Sequence, residues 1–495
     1  MYKNKIEAYL NKAVNEFTKD DLIRFFIENN FHMLNFRYVA GDGRLKTLSF
    51  AICSEEQLDN ILTSGERVDG SSLFSYVEAG SSDLYVVPRY RTAFVNPFEE
   101  EPTLDILCQF YTSEGTPLVS SPYYIMRKAH DELEKSTGFT LEAMGELEYY
   151  VISEKQELYP ANDQRAYHES PPFTKFDFIY KEAMKLVSEC GGHLKYAHSE
   201  VGNFKQENLE FEQYELEFLP TNLEDAANSL IIAKYILRML GDKYGVTISF
   251  APKITVGKAG SGLHIHTRLM KDGKNILVED GKLSDTAKKM IAGILSLSPG
   301  LTAFGNTIPT SYLRLVPHQE APTNICWGDR NRSVLVRVPL GWLGDSTKMI
   351  SEVNPLENLQ TKDFSCKQTI EFRCPDGSAN IYYLLAGLAV ATQFGLEMPD
   401  AMKIANETYV GVNIFDDKNK SLCNKLKQLP TSCYDSANRL LNLSEAFTKN
   451  GVFTQGIIDA IANDLKKFND KEISEQLYGN NSEIMELVNK YLHYA

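Results

Sequence analysis

The chain has 495 residues, 43% of them hydrophobic, so it is too long for one hydrophobic core and is expected to form a globular protein with more than one domain. Its formal net charge of −15 argues against nonspecific binding to nucleic acid or anionic lipid, because those surfaces attract clustered positive charge. The sequence has no apolar run of about 18 residues and no signal-peptide pattern, which predicts a cytoplasmic protein without a membrane segment.

The N-terminal part of the chain has the pattern of a small α+β module. Residues 3–30 alternate apolar and charged positions at helical spacing, with Asp20 or Asp21 as the expected cap of a second helix. Two strand candidates then flank a turn at 41–43, and another helix candidate follows them. Residues 1–115 are therefore predicted to form an N-terminal domain.

A turn-rich joint at residues 116–122, which contains two prolines, leads into the rest of the chain. Beyond it, strand candidates alternate with helices such as 223–245, for which Gly245 is a suitable C-terminal stop. The C-terminal region has the apolar stripes of packed helices. Residues 116–495 are predicted to form a second, larger α+β domain.

Four short stretches of the larger domain carry polar side chains two residues apart, with apolar residues beside them. Residues i and i+2 of a strand share a face, so these pairs would place carboxylates and imidazoles together on one side of a sheet. Crowded carboxylates repel one another unless cations neutralise them, which points to a divalent metal site. The alternative is the solvent face of half-buried antiparallel strands. The pairs are Glu146 with Glu148, Glu215 with Glu217, His264 with His266, and Glu371 with Arg373.

Eight motifs, in order along the chain, resemble those of the glutamine synthetase superfamily. The resemblance implies a small N-terminal β-grasp domain and a large catalytic domain in which helices surround a curved antiparallel sheet. It also implies a homo-oligomeric ring with active sites between subunits. The motifs are VDGSS at 68–72, GELEYYV at 145–151, HSEV at 198–201, QYELEF at 213–218, GSGLHIH at 260–266, YLRLVPHQEAP at 312–322, NRSVLVRVP at 331–339 and IEFRCPDGSAN at 370–380.

The reaction that the resemblance implies is ATP-dependent formation of glutamine from glutamate and ammonium, through a γ-glutamyl phosphate. Two metal ions would take part, and ligands rich in oxygen suit Mg²⁺, while one imidazole makes Mn²⁺ acceptable. By the resemblance, one ion would be held by Glu148, Glu200 and Glu215, and the other by Glu146, His264 and Glu371.

The same resemblance implies roles for eight further residues. His266 and Arg337 would contact the nucleotide phosphates, and Arg332 the transferring phosphoryl group. Asp69 would remove a proton from ammonium, and Glu320 would lie on a flap that closes over the site. The amino-acid substrate would be held by Gly260, Arg314 and Arg373. Taken alone, Asp69 is equally consistent with a turn residue before Gly70.

The sequence departs from the family pattern at several positions. Ala259 lacks the amide with which the family helps to bind the amino acid, and Thr369 replaces an arginine that would contact phosphate. Extra residues at 202–211 separate Glu200 from Glu215, which leaves Glu207 as a competing ligand; the strand pattern favours Glu215. A second insertion spans residues 341–364.

Two other functions stay open at this point. One is a γ-glutamyl ligase that acts on a larger amine, such as a polyamine or ethanolamine, which Ala259 and the insertions would allow. The other is a catalytically silent family member that serves as a scaffold. Glu217 shares the strand face of Glu215 but matches no family ligand.

Overall fold

The computed structural model describes residues 2–77, 80, 82–316, 321–341, 346–360, 363–477 and 479–494. The first part of the chain forms a six-stranded sheet in the order β2-β1-β6-β4-β3, with β5 paired to β6. Strand β1 runs parallel to β6 and antiparallel to β2. The strands are β1 (Met33–Val39), β2 (Leu45–Ala51), β3 (Glu66–Asp69), β4 (Asp83–Pro88), β5 (Phe94–Val95) and β6 (Thr103–Tyr111).

Three short helices cover this sheet and share a core with it: α1 (Lys5–Leu10), α2 (Lys19–Glu28) and α3 (Glu55–Ser64). The expectation that Asp20 or Asp21 caps the second helix is wrong. Thr18 is the N-cap, and Asp21 lies at the third helical position, where its carboxylate accepts a hydrogen bond from the Thr18 backbone N–H in a capping box.

The second sheet has ten strands, seven of them in the order β16-β17-β18-β12-β7-β9-β8. The short strands β10 and β11 pair with β7, and β13 pairs with β12. These strands are β7 (Thr140–Glu154), β8 (Leu194–Gln206), β9 (Leu209–Phe218), β10 (Thr221–Asn222), β11 (Thr247–Ser249), β12 (Leu263–Lys271), β13 (Lys274–Asn275), β16 (Trp327–Asp329), β17 (Val336–Val338) and β18 (Ile370–Phe372); β14 (Val278–Glu279) and β15 (Lys282–Leu283) form a separate hairpin.

Helices pack against this sheet and against one another. A Cβ on Gly145 of β7 would lie 2.7 Å from Leu230, so the absence of a side chain lets α6 approach the sheet. The helices are α4 (Pro122–Thr137), α5 (Asp177–Glu189), α6 (Leu223–Lys243), α7 (Asp285–Gly305), α8 (Ser311–Arg314), α9 (Ser346–Val353), α10 (Ile381–Glu397), α11 (Ala401–Glu407), α12 (Lys420–Cys423), α13 (Cys433–Asn442), α14 (Ser444–Thr448), α15 (Gln455–Lys466), α16 (Ile473–Gln476) and α17 (Asn481–Tyr491).

The alternation predicted for the four polar stretches is confirmed. Their apolar residues all lie in the main hydrophobic core, under helices such as α6, and are at most 2% exposed. The polar side chains therefore lie on the other face of the sheet. The core residues concerned are Leu147, Tyr149, Leu216, Phe218, Leu263, Ile265, Ile370 and Phe372.

The α+β class predicted from the sequence is confirmed. The first sheet ends at Tyr111 and the second begins at Thr140, on either side of the predicted domain boundary at residue 115. Among the described residues, no single helix is long and apolar enough to cross a membrane. Helices α10 and α11 pass that test only as a pair bent by 107°.

Candidate functional site

Strand β7 lies between β12 and β9, and its register brings the predicted polar residues together. Glu146 lies opposite His264 on one side and Glu217 on the other. Glu148 lies opposite Glu215. The adjoining strands extend this row, because Glu371 of β18 lies opposite His266 and His198 of β8 lies opposite Glu215.

Glu146, His264 and Glu371 form one cluster, which we call the β12 group. Each offers a ligand atom, and these atoms all lie within 4.8 Å of one another. His264 Nδ1 lies 3.1 Å from Glu146 Oε2 and 3.5 Å from Glu371 Oε1. The structure thus brings together the three residues predicted to hold one of the two metal ions.

Glu148, Glu200, Glu215 and His198 form a second cluster, which we call the β9 group. Glu215 meets the same 4.8 Å criterion in two ways, once with Glu148 and His264 and once with Glu200 and His198. Of the three predicted carboxylates, Glu148 and Glu200 each therefore lie close to Glu215. The imidazole of His198, with Nε2 at 3.0 Å from Glu215 Oε2, is an addition that the sequence analysis did not include.

Positive side chains surround the β12 group. Arg337 Nη1 donates to Glu371 Oε2 at 2.8 Å, and Arg373 Nε donates to Glu371 Oε1 at 3.0 Å. Burial opposes ionisation of Glu371, but the positive charges of Arg373, His266 and His264 together outweigh it and lower the pKa of that carboxyl. Burial likewise opposes ionisation of Glu146, and the imidazoles of His266 and His264 lower its pKa well below the ordinary value.

The β9 group has the opposite electrostatics. Burial, followed by the charges of Glu146 and Glu148, raises the pKa of Glu215 well above its ordinary value. Burial also lowers the pKa of His198, so the imidazole nearest to Glu215 is held neutral. The charges of Glu148 and Glu215 are therefore not offset by a lysine or arginine among the described residues, which is the environment that a divalent cation stabilises.

The predicted substrate residues Gly260 and Arg314 adjoin the β9 group. Arg314 is buried, and its Nη1 donates to the Cys374 carbonyl at 2.8 Å. A Cβ on Gly260 would lie 2.5 Å from the Pro252 carbonyl oxygen and 3.0 Å from Arg314 Cγ, so only glycine fits there. In the same loop, the Gly262 N–H donates to Glu148 Oε2 at 2.7 Å.

The predicted phosphate contacts lie beside the β12 group. His266 is buried, with Nε2 at 2.9 Å from Glu146 Oε1 and Nδ1 at 2.8 Å from Thr369 Oγ1. Thr369, where the family has an arginine, thus orients this imidazole. Arg332 is exposed, and its backbone carbonyl accepts a hydrogen bond from Arg373 Nη1.

Within one chain, the predicted residue Asp69 is not part of these clusters. Asp69 is exposed at the end of the edge strand β3, where its carboxylate accepts hydrogen bonds from the Ser71 N–H and from the hydroxyls of Ser71 and Ser72. The hydroxyls of Ser72 and Ser71 hold the pKa of Asp69 below its ordinary value. Glu320 lies outside the described residues.

The first insertion lengthens the β8–β9 hairpin. Glu207 is exposed in the turn of that hairpin with φ of 54°, whereas Glu215 is 6% exposed and opposite Glu148. The structure therefore places Glu215, and not Glu207, in the cluster. Its neighbour Glu217 forms an ion pair with Lys195.

Gln213 is a further residue of the site that was not predicted from the sequence. Its side-chain N–H groups donate to Glu148 Oε2 at 3.2 Å and to the Gly260 carbonyl at 3.0 Å, so it joins the β9 group to the glycine loop. The spacing of the sequence could have identified Gln213, because it lies two residues before Glu215 and therefore on the same strand face. His198 lies two residues before Glu200 and could have been found by the same spacing.

Comparisons with known proteins agree with this geometry. Residues 119–478 match the family model for the glutamine synthetase catalytic domain, and residues 30–113 match the one for the glutamine synthetase β-grasp domain. Glutamine synthetase of Clostridium saccharobutylicum is 26% identical over 434 residues, 86% of this chain and 89% of the relative. That of Microchaete diplosiphon is 29% identical over 475 residues, 89% of this chain and 93% of the relative.

Solved structures share the fold at low identity. Plasmodium falciparum glutamine synthetase superposes with a TM-score of 0.75 at 18% identity, over 93% of this chain and 99% of that one. GmaS in complex with ADP gives a TM-score of 0.70 at 17% identity, over 92% of this chain and 96% of that one. Because a family model covers most of the sequence and both domains match, the chain belongs to the glutamine synthetase family.

Proposed function

We propose that the protein is a glutamate–ammonia ligase that uses ATP to form glutamine through a γ-glutamyl phosphate. The observation that carries the proposal is the pair of adjacent clusters on β7, in which one strand supplies Glu146 to the β12 group and Glu148 to the β9 group. A carboxylate is a poor acyl donor, because oxide is a poor leaving group. Phosphorylation by ATP converts the carboxylate into a better acyl donor. Two adjacent sites that bind divalent cations are suited to this phosphoryl transfer.

The donor set fits Mg²⁺ or Mn²⁺. One ion would be held by Glu146, His264 and Glu371, and the other by Glu148, Glu200 and Glu215. The raised pKa of Glu215 supports this assignment, because its repulsion from Glu146 and Glu148 is relieved by a cation. When bound, the ions would offset the negative charge of the ATP phosphates and of the transferring group.

In the first step, a γ-carboxylate oxygen of glutamate forms a bond to the terminal phosphorus of ATP, and the bond from that phosphorus to ADP breaks. Arg337 contacts the metal-ligand candidate Glu371 at 2.8 Å, so it lies within reach of phosphates drawn to the ions. His266, Arg332 and Arg337 would bind the nucleotide and the moving phosphoryl group. Gly260, Arg314 and Arg373 would hold the amino acid.

In the second step, ammonia forms a bond to the acyl carbon, the bond from that carbon to the phosphate oxygen breaks, and the nitrogen loses one proton, which the released phosphate can accept. Asp69 would take the proton that ammonium loses. Its exposed position on an edge strand suits a carboxylate that reaches the site of a neighbouring subunit in a ring. Glu320 would help to shield the acyl phosphate from water.

The second candidate is a γ-glutamyl ligase for a larger amine. It is favoured by Ala259, whose backbone N–H donates to Gln164 Oε1 at 2.7 Å and which lacks the amide side chain of the family pattern. The scaffold hypothesis is weaker, because a scaffold has no electrostatic reason to retain mutually repelling carboxylates.

Phosphate release from ATP, measured with glutamate, Mg²⁺ and a panel of ammonium, ethanolamine and a polyamine, distinguishes the three functions. We expect turnover with ammonium and formation of glutamine. Turnover with ethanolamine or the polyamine but not with ammonium would favour the larger-amine ligase. No turnover with any amine, in a protein that still assembles and binds Mg²⁺, would favour the scaffold.

A further inference from the structure

A cavity of about 600 Å³ lies away from the carboxylate clusters, between the two parts of the chain. Its walls come from the turn between β1 and β2, from one face of α6, from residues 246–248 and from His493 and Tyr494. Ser378, Ala379 and Ile381 complete the lining. The volume is within the usual range for a small-molecule site, roughly 300–1,000 Å³.

Three basic side chains line this cavity, and none forms an ion pair with a carboxylate among the described residues. Lys234 Nζ donates to the Gly377 carbonyl at 2.6 Å. Arg44 donates to the carbonyls of His493, at 2.7 Å, and Tyr494, at 3.3 Å. Arg238 makes no hydrogen bond within the described part of the chain, and its guanidinium carbon lies 5.0 Å from the Phe250 ring centroid.

The acidic residues nearby offset this positive charge only in part. Asp42 on the rim pairs instead with Lys46 at 2.7 Å, and Asp242 lines the cavity without forming an ion pair among the described residues. Burial, reinforced by Arg238 and opposed by Asp376, lowers the pKa of Lys234 to about 7. Burial and the charge of Arg44 lower the pKa of Arg238 to about 10.

Mutually repelling cations around a cavity are stabilised by an anion, which guanidinium groups bind through paired N–H donors. The remaining walls are largely apolar and include Ile231, Met239, Val246, Ile248 and Ile381. A bare inorganic ion would leave those walls without a partner. An organic anion would satisfy both surfaces, because its charged end would face the cations and its carbon skeleton the apolar residues.

We propose that this cavity binds a small organic anion, a carboxylate or a phosphate monoester, through Arg44, Lys234 and Arg238. Arg44 comes from the β1–β2 turn, and the other two come from α6, so a bound anion would join the N-terminal part of the chain to a helix that packs against the large sheet. The site is separate from the clusters on β7 and does not depend on the function proposed for them.

The test is isothermal titration calorimetry on the full chain at low ionic strength with EDTA, so that no metal ion draws anions to the carboxylate clusters. Tricarballylate and glycerol 3-phosphate are the two probes, which separate a carboxylate site from a phosphate site, and glycerol is the neutral control. We expect saturable binding of at least one anion and none of glycerol. Loss of a charged hydrogen-bond donor in Arg238→Met should weaken binding at least about tenfold.

Lys243→Met is the matched control, because Lys243 lies on the same helix outside the cavity and pairs with Glu182 at 2.8 Å. It should bind the anion like the unmodified chain. Arg44→Met, at an exposed position, provides a second test if Arg238→Met does not fold. Equal affinity in the unmodified chain and in the folded cavity variants would overturn the proposal. So would the absence of saturable binding of either probe up to about 10 mM.

Discussion

The β12 and β9 groups share strand β7 but balance their charges in different ways. In the β12 group, Arg337 and Arg373 neutralise Glu371, and the pKa values of Glu371 and Glu146 are lowered. In the β9 group, Glu148 and Glu215 make no ion pair with lysine or arginine within the described residues, and the pKa of Glu215 is raised. The charge of Glu371 is thus balanced by the chain itself, whereas the charge of Glu215 requires a bound cation or a proton.

The largest expected effect is on turnover, which needs both groups. Glu371→Gln and Glu215→Gln each remove a metal-ligand candidate, and each should lower kcat by more than about 100-fold, since even indirect partners of metal ligands contribute about 10–100-fold. Phosphate release under saturating substrates is the measurement. Glu217→Gln, on the same face of β9, is the control and should change kcat by less than about threefold. Full activity in Glu371→Gln would refute the metal assignment of the β12 group.

The next largest effect is on the stability of the metal-free protein, which we expect to change in opposite directions when the β12 group and the β9 group are altered. Glu371→Gln leaves the guanidinium groups of Arg337 and Arg373 without their buried partner. We expect the free energy of unfolding to fall by about 3 kcal/mol, the scale for breaking a buried ion pair. Urea unfolding in EDTA measures it. A variant as stable as the unmodified chain would mean that the β12 group is not balanced by these arginines.

Glu215→Gln should raise the free energy of unfolding of the metal-free protein, because it removes a carboxylate that its neighbours repel. In the folded metal-free protein, the pKa of Glu215 lies well above its ordinary value of 4.5. A carboxyl group whose pKa is higher in the folded than in the unfolded protein stabilises the fold fully at pH values below its unfolded-state pKa. That stabilisation is lost as the pH rises through its folded-state pKa. The unmodified metal-free chain should therefore lose stability as the pH is raised above about 4.5, and the variant should lose less, by about 1 kcal/mol.

Thermal unfolding in EDTA across this pH range measures the difference between the two chains, and saturating Mg²⁺ should remove most of it. The same dependence on pH in both metal-free proteins would contradict the charge imbalance assigned to the β9 group.

The smallest effect concerns Lys195, the lysine that pairs with Glu217 at the margin of the β9 group. Its side chain is 42% exposed, so solvent screens the pair, and Lys195→Met should destabilise the metal-free protein by only about 0.5 kcal/mol. Chemical unfolding with and without Mg²⁺ provides the measurement, and Lys185→Met, at an exposed lysine of α5, is the control. A loss of about 3 kcal/mol would show that Lys195 balances the β9 group as the arginines balance the β12 group.

The strand faces could be predicted because alternation is a local property. Leu147 and Leu263 lie in the core as their spacing indicated, and the strand pattern favoured Glu215 over Glu207, in agreement with the structure. Which strands become neighbours is not local. His264 contacts Glu146, which is 118 positions away in the sequence. The family motifs, and not the local spacing, suggested this contact.

Other features were missed because no motif pointed to them. Gln213 acquires its role only when the loop containing Gly260 comes to lie beside Glu148. The cap of α2 was misassigned because Thr18 and Asp21 exchange hydrogen bonds as a pair, whereas acidic residues alone were considered. The cavity beside α6 combines residues from both parts of the chain, and no stretch of sequence contains its pattern.

The position of Glu146 and Glu148 on one paired strand restricts where this chain can change length. Adding or deleting a single residue in the paired part of β7 would turn both carboxylates into the apolar core and bring Leu147 and Tyr149 to the opposite face. Added residues at the tip of the β8–β9 hairpin, around Glu207, leave the alignment of Glu215 with Glu148 unchanged. Among homologous chains, we therefore expect length variation at this tip and a constant number of residues between Thr140 and Glu154.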